Sequence, residues 1–157
     1  MTWRRYCRGA AATVQAGEEF AALLCPGDMV LLSGPLGAGK TTFVQGVARG
    51  LGVTERVTSP TFTMVREHAC HNDVGVATLL HADLYRIESV DEAIDLALGE
   101  LVEESAIALV EWGELAAPVF GRDVLTVGFT VGEDDRWLEV DGAVAAQRSD
   151  QLEEWAR

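Results

Sequence analysis

The chain has 157 residues, 48% hydrophobic and 24% charged, a balance that suits one folded domain spanning 1–157 and excludes a disordered chain. Its net charge of −13 excludes a surface that grips phosphodiester backbones unaided. Three cysteines without a C-x-x-C pair make no disulfide framework, and no apolar leader or membrane-length segment occurs, so a cytoplasmic setting is expected.

In chain order, Arg4, Arg5 and Arg8 are expected on a mobile N-terminal end. Phe20, Leu23 and Leu24 follow helical spacing up to the Pro26-Gly27 stop. Met29 to Leu32 is a continuous apolar run of strand length, as in a strand buried on both faces. A glycine-rich segment follows directly, and then Phe43, Val44, Val47, Ala48 and Leu51 form one helical stripe. Thr61 to Val65 is rich in β-formers, and His68 to Gly75 reads as a polar turn. Val76 to Leu80 is a strand leading into His81-Ala82-Asp83. Ser89 with Glu92 forms a capping box for a helix whose face holds Ile94, Ala97, Leu98 and Leu101. Ala106 to Val110 is a second buried strand ending in Glu111-Trp112. Alternation at Leu125, Val127 and Phe129 pairs with Trp137 to Val140 across Gly132-Glu133-Asp134-Asp135 as a hairpin, and the last residues form a short helix. The pattern is α/β, with a mixed but mainly parallel sheet flanked by helices and a C-terminal antiparallel hairpin.

Gly34-Pro35-Leu36-Gly37-Ala38-Gly39-Lys40-Thr41 matches G-x-x-x-x-G-K-[ST] and lies between a strand and a helix, as a phosphate-binding loop requires. Gly34, Gly37 and Gly39 allow a tight bend, so that successive backbone N–H groups, that of Ala38 among them, turn inward onto phosphate oxygens. Lys40 reaches the β- and γ-phosphates of a nucleotide, and the Thr41 hydroxyl ligates Mg²⁺. Of twelve basic residues, eleven are arginine; the one lysine is Lys40, where a slim ammonium fits between phosphates and a planar guanidinium does not. Asp83 and Glu111 each end a buried strand, where parallel sheets present side chains to nucleotides. One would hold Mg²⁺ and the other orient an attacking water. Ser59-Pro60-Thr61 reads either as a proline-led strand start or as a switch that senses the γ-phosphate; the second makes Thr61 a candidate catalytic residue. His68, Cys70 and His71 match no strong zinc spacing. No N-K-x-D motif occurs, which favours ATP over GTP, and no arginine cluster follows the second strand as in a kinase lid.

The loop, together with Ser59-Pro60-Thr61-Phe62-Thr63, His81-x-Asp83-x-Tyr85-Arg86 and Leu109-Val110-Glu111-Trp112, resembles the TsaE family, the ATPase component of bacterial tRNA threonylcarbamoyladenosine synthesis. The resemblance implies ATP and Mg²⁺ as cofactors, Glu111 as a metal ligand, Asp83 as a residue needed for hydrolysis, and Thr42 and Trp112 near the nucleotide. Thr13 falls where the family's N-terminal segment approaches the base. TsaD and TsaB are the implied partners, with tRNA met only through their complex. Pro35 departs from the acidic residue usual there and removes a carboxylate and one N–H from the loop. The rival readings are a small-molecule P-loop kinase and a nucleotide-gated interaction module without turnover. Asp83 separates the second of these, since a pure binder needs no second acid near the γ-phosphate.

Overall fold

The computed structural model describes residues 1–60, 65–95, 97–102, 105–112, 114, 117–120 and 123–157. It contains a seven-stranded sheet in the order β1-β7-β6-β2-β5-β4-β3. The strands are β1 Trp3–Arg8, β2 Met29–Ser33, β3 Val65–Ala69, β4 Thr78–Asp83, β5 Ala106–Glu111, β6 Leu125–Val131 and β7 Asp135–Asp141. β6, β2, β5 and β4 run parallel, and β1, β7 and β3 are antiparallel to their neighbours. The expected hairpin is β6–β7, with Gly132 N–H bonded to Asp135 O across its turn.

β2 and β5 are apolar up to their last residues, Ser33 and Glu111, because both faces of the sheet are covered there. On one face lie α1 (Gly9–Ala21) and α2 (Lys40–Gly50), joined by the C-terminal helix Ser149–Trp155, their Phe20 and Phe43 in one core with Leu79, Ile107 and Leu109 of the sheet. On the other, α3 (Val90–Asp95) and α4 (Leu98–Leu101) cover Leu80, Ala82, Ala108 and Val110. Trp155 Nε1 donates to Ala16 O at 2.9 Å, and Arg148 clasps the Asp28 carboxylate at 2.6 and 2.8 Å.

Several boundaries differ from the sequence reading. The N-terminal arginines are not on a mobile end: β1 pairs with β7 from Trp3↔Val140 to Arg8↔Asp135. Trp3 and Cys7 face inward; Arg5 shares their side but bonds Glu19 and Trp155 O, and this inward arginine breaks the visible alternation. His68 lies in β3 and is buried against Glu55, so the polar turn begins later, around Asn72, whose amide bonds Leu51, Val74 and Val76. β4 begins two residues after the expected start and runs on through Asp83. The helix after Ser89 breaks at Ala97, where the backbone is left-handed (φ 50°), and Ile94 and Leu101 face solvent while Ala93 and Leu98 are buried. Ser89 Oγ accepts the Glu92 N–H at 3.3 Å, but the Glu92 carboxylate reaches the Glu88 N–H, not that of Ser89.

α1 and α2 approach through glycines. A Cβ on Gly46 would lie 2.1 Å from Val14 O, and one on Gly17 would lie 2.3 Å from Phe43 O. Because α2 carries the phosphate loop at its N-terminus, this backbone contact sets the height of the loop over the sheet. Gly46→Ala is expected to lower stability by roughly 1–3 kcal/mol, since backbone has to move. Gly128→Ala, whose Cβ would meet only ordinary contacts at 3.7 Å and beyond, is the near-neutral control in the same thermal melts.

Candidate nucleotide site

Residues 34–39 connect β2 to α2. Gly37 (φ 78°) and Gly39 (φ 98°) take left-handed backbone, and no side chain at either would leave the loop this shape. Among the described residues, the N–H groups of Gly37, Gly39 and Lys40 have no hydrogen-bond partner, as suits a cradle for an anion. Gly34 plays a different part: a Cβ there would lie 2.9 Å from Phe129 Cβ, so its smallness serves packing beneath the loop. Pro35 keeps the bend, since its carbonyl accepts the Ala38 N–H at 3.1 Å. Arg136 on β7 braces the loop from outside through Ala38 O and Gly37 O.

Lys40 Nζ donates to Gly34 O at 2.5 Å and Pro35 O at 3.2 Å and lies 3.7 Å from the centre of the Trp112 ring. Burial lowers its pKa from the usual 10.5; the charges of Glu111, Glu114 and Asp83 oppose that shift. Trp112 itself is left-handed (φ 59°), a costly conformation for a large residue, and its ring packs on Tyr85 with centroids 5.0 Å apart. Thr41 Oγ1 donates to both Glu111 oxygens, at 2.8 and 3.0 Å. Glu111 is 3% exposed, and its Oε2 lies 2.5 Å from His81 Nε2. In the parallel β4–β5 pair Asp83 is directly opposite Glu111, so the two acids end neighbouring strands at one level. Asp83 Oδ2 accepts the Ser59 hydroxyl at 2.8 Å, and Oδ1 accepts the Tyr85 N–H at 2.9 Å.

These groups line a cavity of about 460 Å³ that takes in Gly37, Ala38, Gly39, Lys40, Thr41, Thr42, Asp83, Glu111 and Trp112, with Leu36, Ser59, Pro60, Tyr85 and Arg86. Thr13 is not part of it. It is buried and borders a second cavity of about 250 Å³ on the other side of the loop, shared with Gly39, Thr42 and Arg136. Thr61 lies outside the described residues. His68, Cys70 and His71 form no metal cluster, and none exists among the described residues. The bond from Ser59 to Asp83, the His81–Glu111 contact and the Arg136 brace were not read from the sequence as site features. His81 and Ser59 stand in the quoted motifs; nothing about Arg136 points to the loop.

Thr41 and Glu111 together offer hard oxygen donors beside the phosphate cradle. That set fits Mg²⁺, which keeps several ligands from phosphate and water.

A strand, a glycine cradle, a buried lysine and a helix N-terminus facing strand-end acids define a nucleotide-binding protein of the P-loop class. The family model described as "Threonylcarbamoyl adenosine biosynthesis protein TsaE" matches residues 7–138, and the chain belongs to the TsaE family. It is similar to proteins named tRNA threonylcarbamoyladenosine biosynthesis protein TsaE. The Bacillus subtilis one is 45% identical, over 74% of this chain and 70% of that protein. The Treponema pallidum one is 38% identical, over 81% and 90%, and the Streptomyces coelicolor one 40%, over 84% and 98%. The crystal structure of Bacillus subtilis YdiB superposes with a TM-score of 0.75 at 30% identity, covering 100% of this chain and 95% of that one.

Because the chain has one lysine, isotope-labelled reductive methylation followed by NMR titration reads Lys40 apart from the N-terminal amine. Its pKa is expected below 10.5, and lower still in Glu111→Gln, which removes a charge that supports the ammonium. A wild-type value at or above 10.5 would contradict the buried position of the side chain.

Proposed function

We propose that this chain is the ATP-binding and ATP-hydrolysing component of tRNA threonylcarbamoyladenosine biosynthesis, acting in the cytoplasm as a single domain and resetting a TsaD–TsaB complex between rounds. The observation that carries the reading is the Thr41–Glu111 contact beside the lysine-bearing loop, with Asp83 on the adjacent strand end. The names of the relatives supply the pathway. Among the described residues no helix is long and apolar enough to cross a membrane.

In this reading the N–H groups of the loop and the Lys40 ammonium bind the phosphates of ATP. For Lys40 this means exchanging Gly34 O and Pro35 O for phosphate oxygens, a charge-assisted contact of greater strength. Thr41 and Glu111 hold Mg²⁺, which when bound offsets charge on the β- and γ-phosphates. Asp83, fixed by Ser59 and the Tyr85 N–H, orients the attacking water. Trp112 walls the phosphate end of the cavity, Thr42 lies near the nucleotide beside the loop, and Thr13, bordering the second cavity, lies where the N-terminal segment approaches the base. The paired strand ends give hydrolysis a place for two acids, and partners supply the final alignment.

Lys40→Ala is expected to weaken ATP binding by roughly 2–3 kcal/mol in a calorimeter, because no other lysine replaces it. Asp83→Asn is expected to bind ATP while losing hydrolysis by orders of magnitude, measured with TsaD and TsaB present. Unchanged turnover in Asp83→Asn would remove the water-orienting role.

The isolated chain is expected to bind tRNA poorly at physiological salt. Its charge is −13, and Arg4 and Arg5 are already engaged with Glu139 and Glu19. Filter binding of tRNA to the chain alone, then with TsaD and TsaB added, measures this. Submicromolar salt-sensitive binding by the chain alone would contradict it.

A further inference from the structure

His81 has no part in the proposed chemistry, yet it is 0% exposed and its ring is polar. On β4 it lies opposite Leu109 of β5, one inward position before Asp83, beneath the site rather than in the cavity. Among the described residues, its buried Nδ1 has no hydrogen-bond partner, and its one side-chain bond is the 2.5 Å contact from Nε2 to Glu111 Oε2. A carboxylate only accepts, so the ring proton at this contact sits on Nε2. An aliphatic residue would fill the same place without an orphaned nitrogen, so packing does not account for an imidazole here.

What the imidazole does supply is a fixed direction. The Glu111 side chain has three rotatable bonds, and its carboxylate is held from below by His81 and from above by Thr41. We propose that His81 is a positioning residue: it fixes the Glu111 carboxylate so that this oxygen pair and the Thr41 hydroxyl stand ready for a divalent cation accompanying the nucleotide. This rests on the nucleotide reading above and adds to it the group that orients the metal ligand. Outer partners of metal ligands typically change metal affinity 10- to 100-fold when removed.

The variants are His81→Phe, which fills the space without a donor, and His81→Gln, whose amide N–H can restore the bond. Each is titrated calorimetrically with Mg²⁺ and with Mn²⁺ at a saturating concentration of a non-hydrolysable ATP analogue. Each is also titrated with the analogue alone in chelator. His81→Phe is expected to raise the half-saturating metal concentration about 10- to 100-fold. It should leave metal-free nucleotide binding unchanged, and His81→Gln should recover most of the metal affinity. A folded His81→Phe with wild-type metal dependence would overturn the proposal, as would a His81→Gln no better than His81→Phe. Should His81→Phe fail to fold, the smaller His81→Leu gives the same comparison. Wild-type protein that binds the analogue with no response to either metal would also overturn the proposal, whereas wild-type protein that binds no analogue with or without metal would overturn the nucleotide reading itself.

Discussion

A carboxylate as buried as that of Glu111 is tolerated only where hydrogen bonds replace its water, and the arrangement of the molecule around it follows from that constraint. Thr41 and His81 supply those bonds, from α2 and from β4. The helix N-terminus is thereby tied to two adjacent strands of the sheet. Lys40, one residue earlier, is held near the same negative charge while burial acts against its own. Left-handed backbone at Trp112, immediately after Glu111, turns the ring onto the lysine. Strain, burial and charge are thus concentrated within a few residues of one carboxylate, as at sites where binding energy is stored in geometry.

The loop itself is held at two levels. Beneath it, Gly34 packs on Phe129 of β6; beside it, Arg136 of β7 takes two of its carbonyls. The C-terminal hairpin therefore does more than extend the sheet. It forms one wall of the phosphate loop, a role that alternation of apolar residues gives no hint of.

The parts of the fold legible in the sequence were those governed by local physics. Continuous apolar runs marked β2 and β5, glycine spacing marked the loop, and acids following buried strands marked Asp83 and Glu111. What stayed hidden depends on distant partners. β1 was obscured because an inward arginine satisfied by Glu19 and a backbone carbonyl looks, in sequence, like an exposed one. The break at Ala97 has no glycine or proline to announce it. Thr13 shares the loop with the main cavity but borders the opposite side, which spacing does not separate. His81 was visible as a motif letter and silent as to purpose, since its purpose is a bond to a residue thirty positions away.

The order of strands has a consequence for how the chain acquires this structure during synthesis. β1 has a single neighbour in the sheet, β7, and more than a hundred residues separate them. β1 leaves the ribosome before the other strands of this sheet and is thus among the last to find its place, and until residues 135–141 emerge its apolar Trp3 and Cys7 have no sheet to join. Such long-range closure slows folding and prolongs exposure of unpaired backbone. The three arginines on this edge strand, two of them exposed, suit a segment that must wait in solvent, since charge on an unpaired strand discourages pairing with other chains.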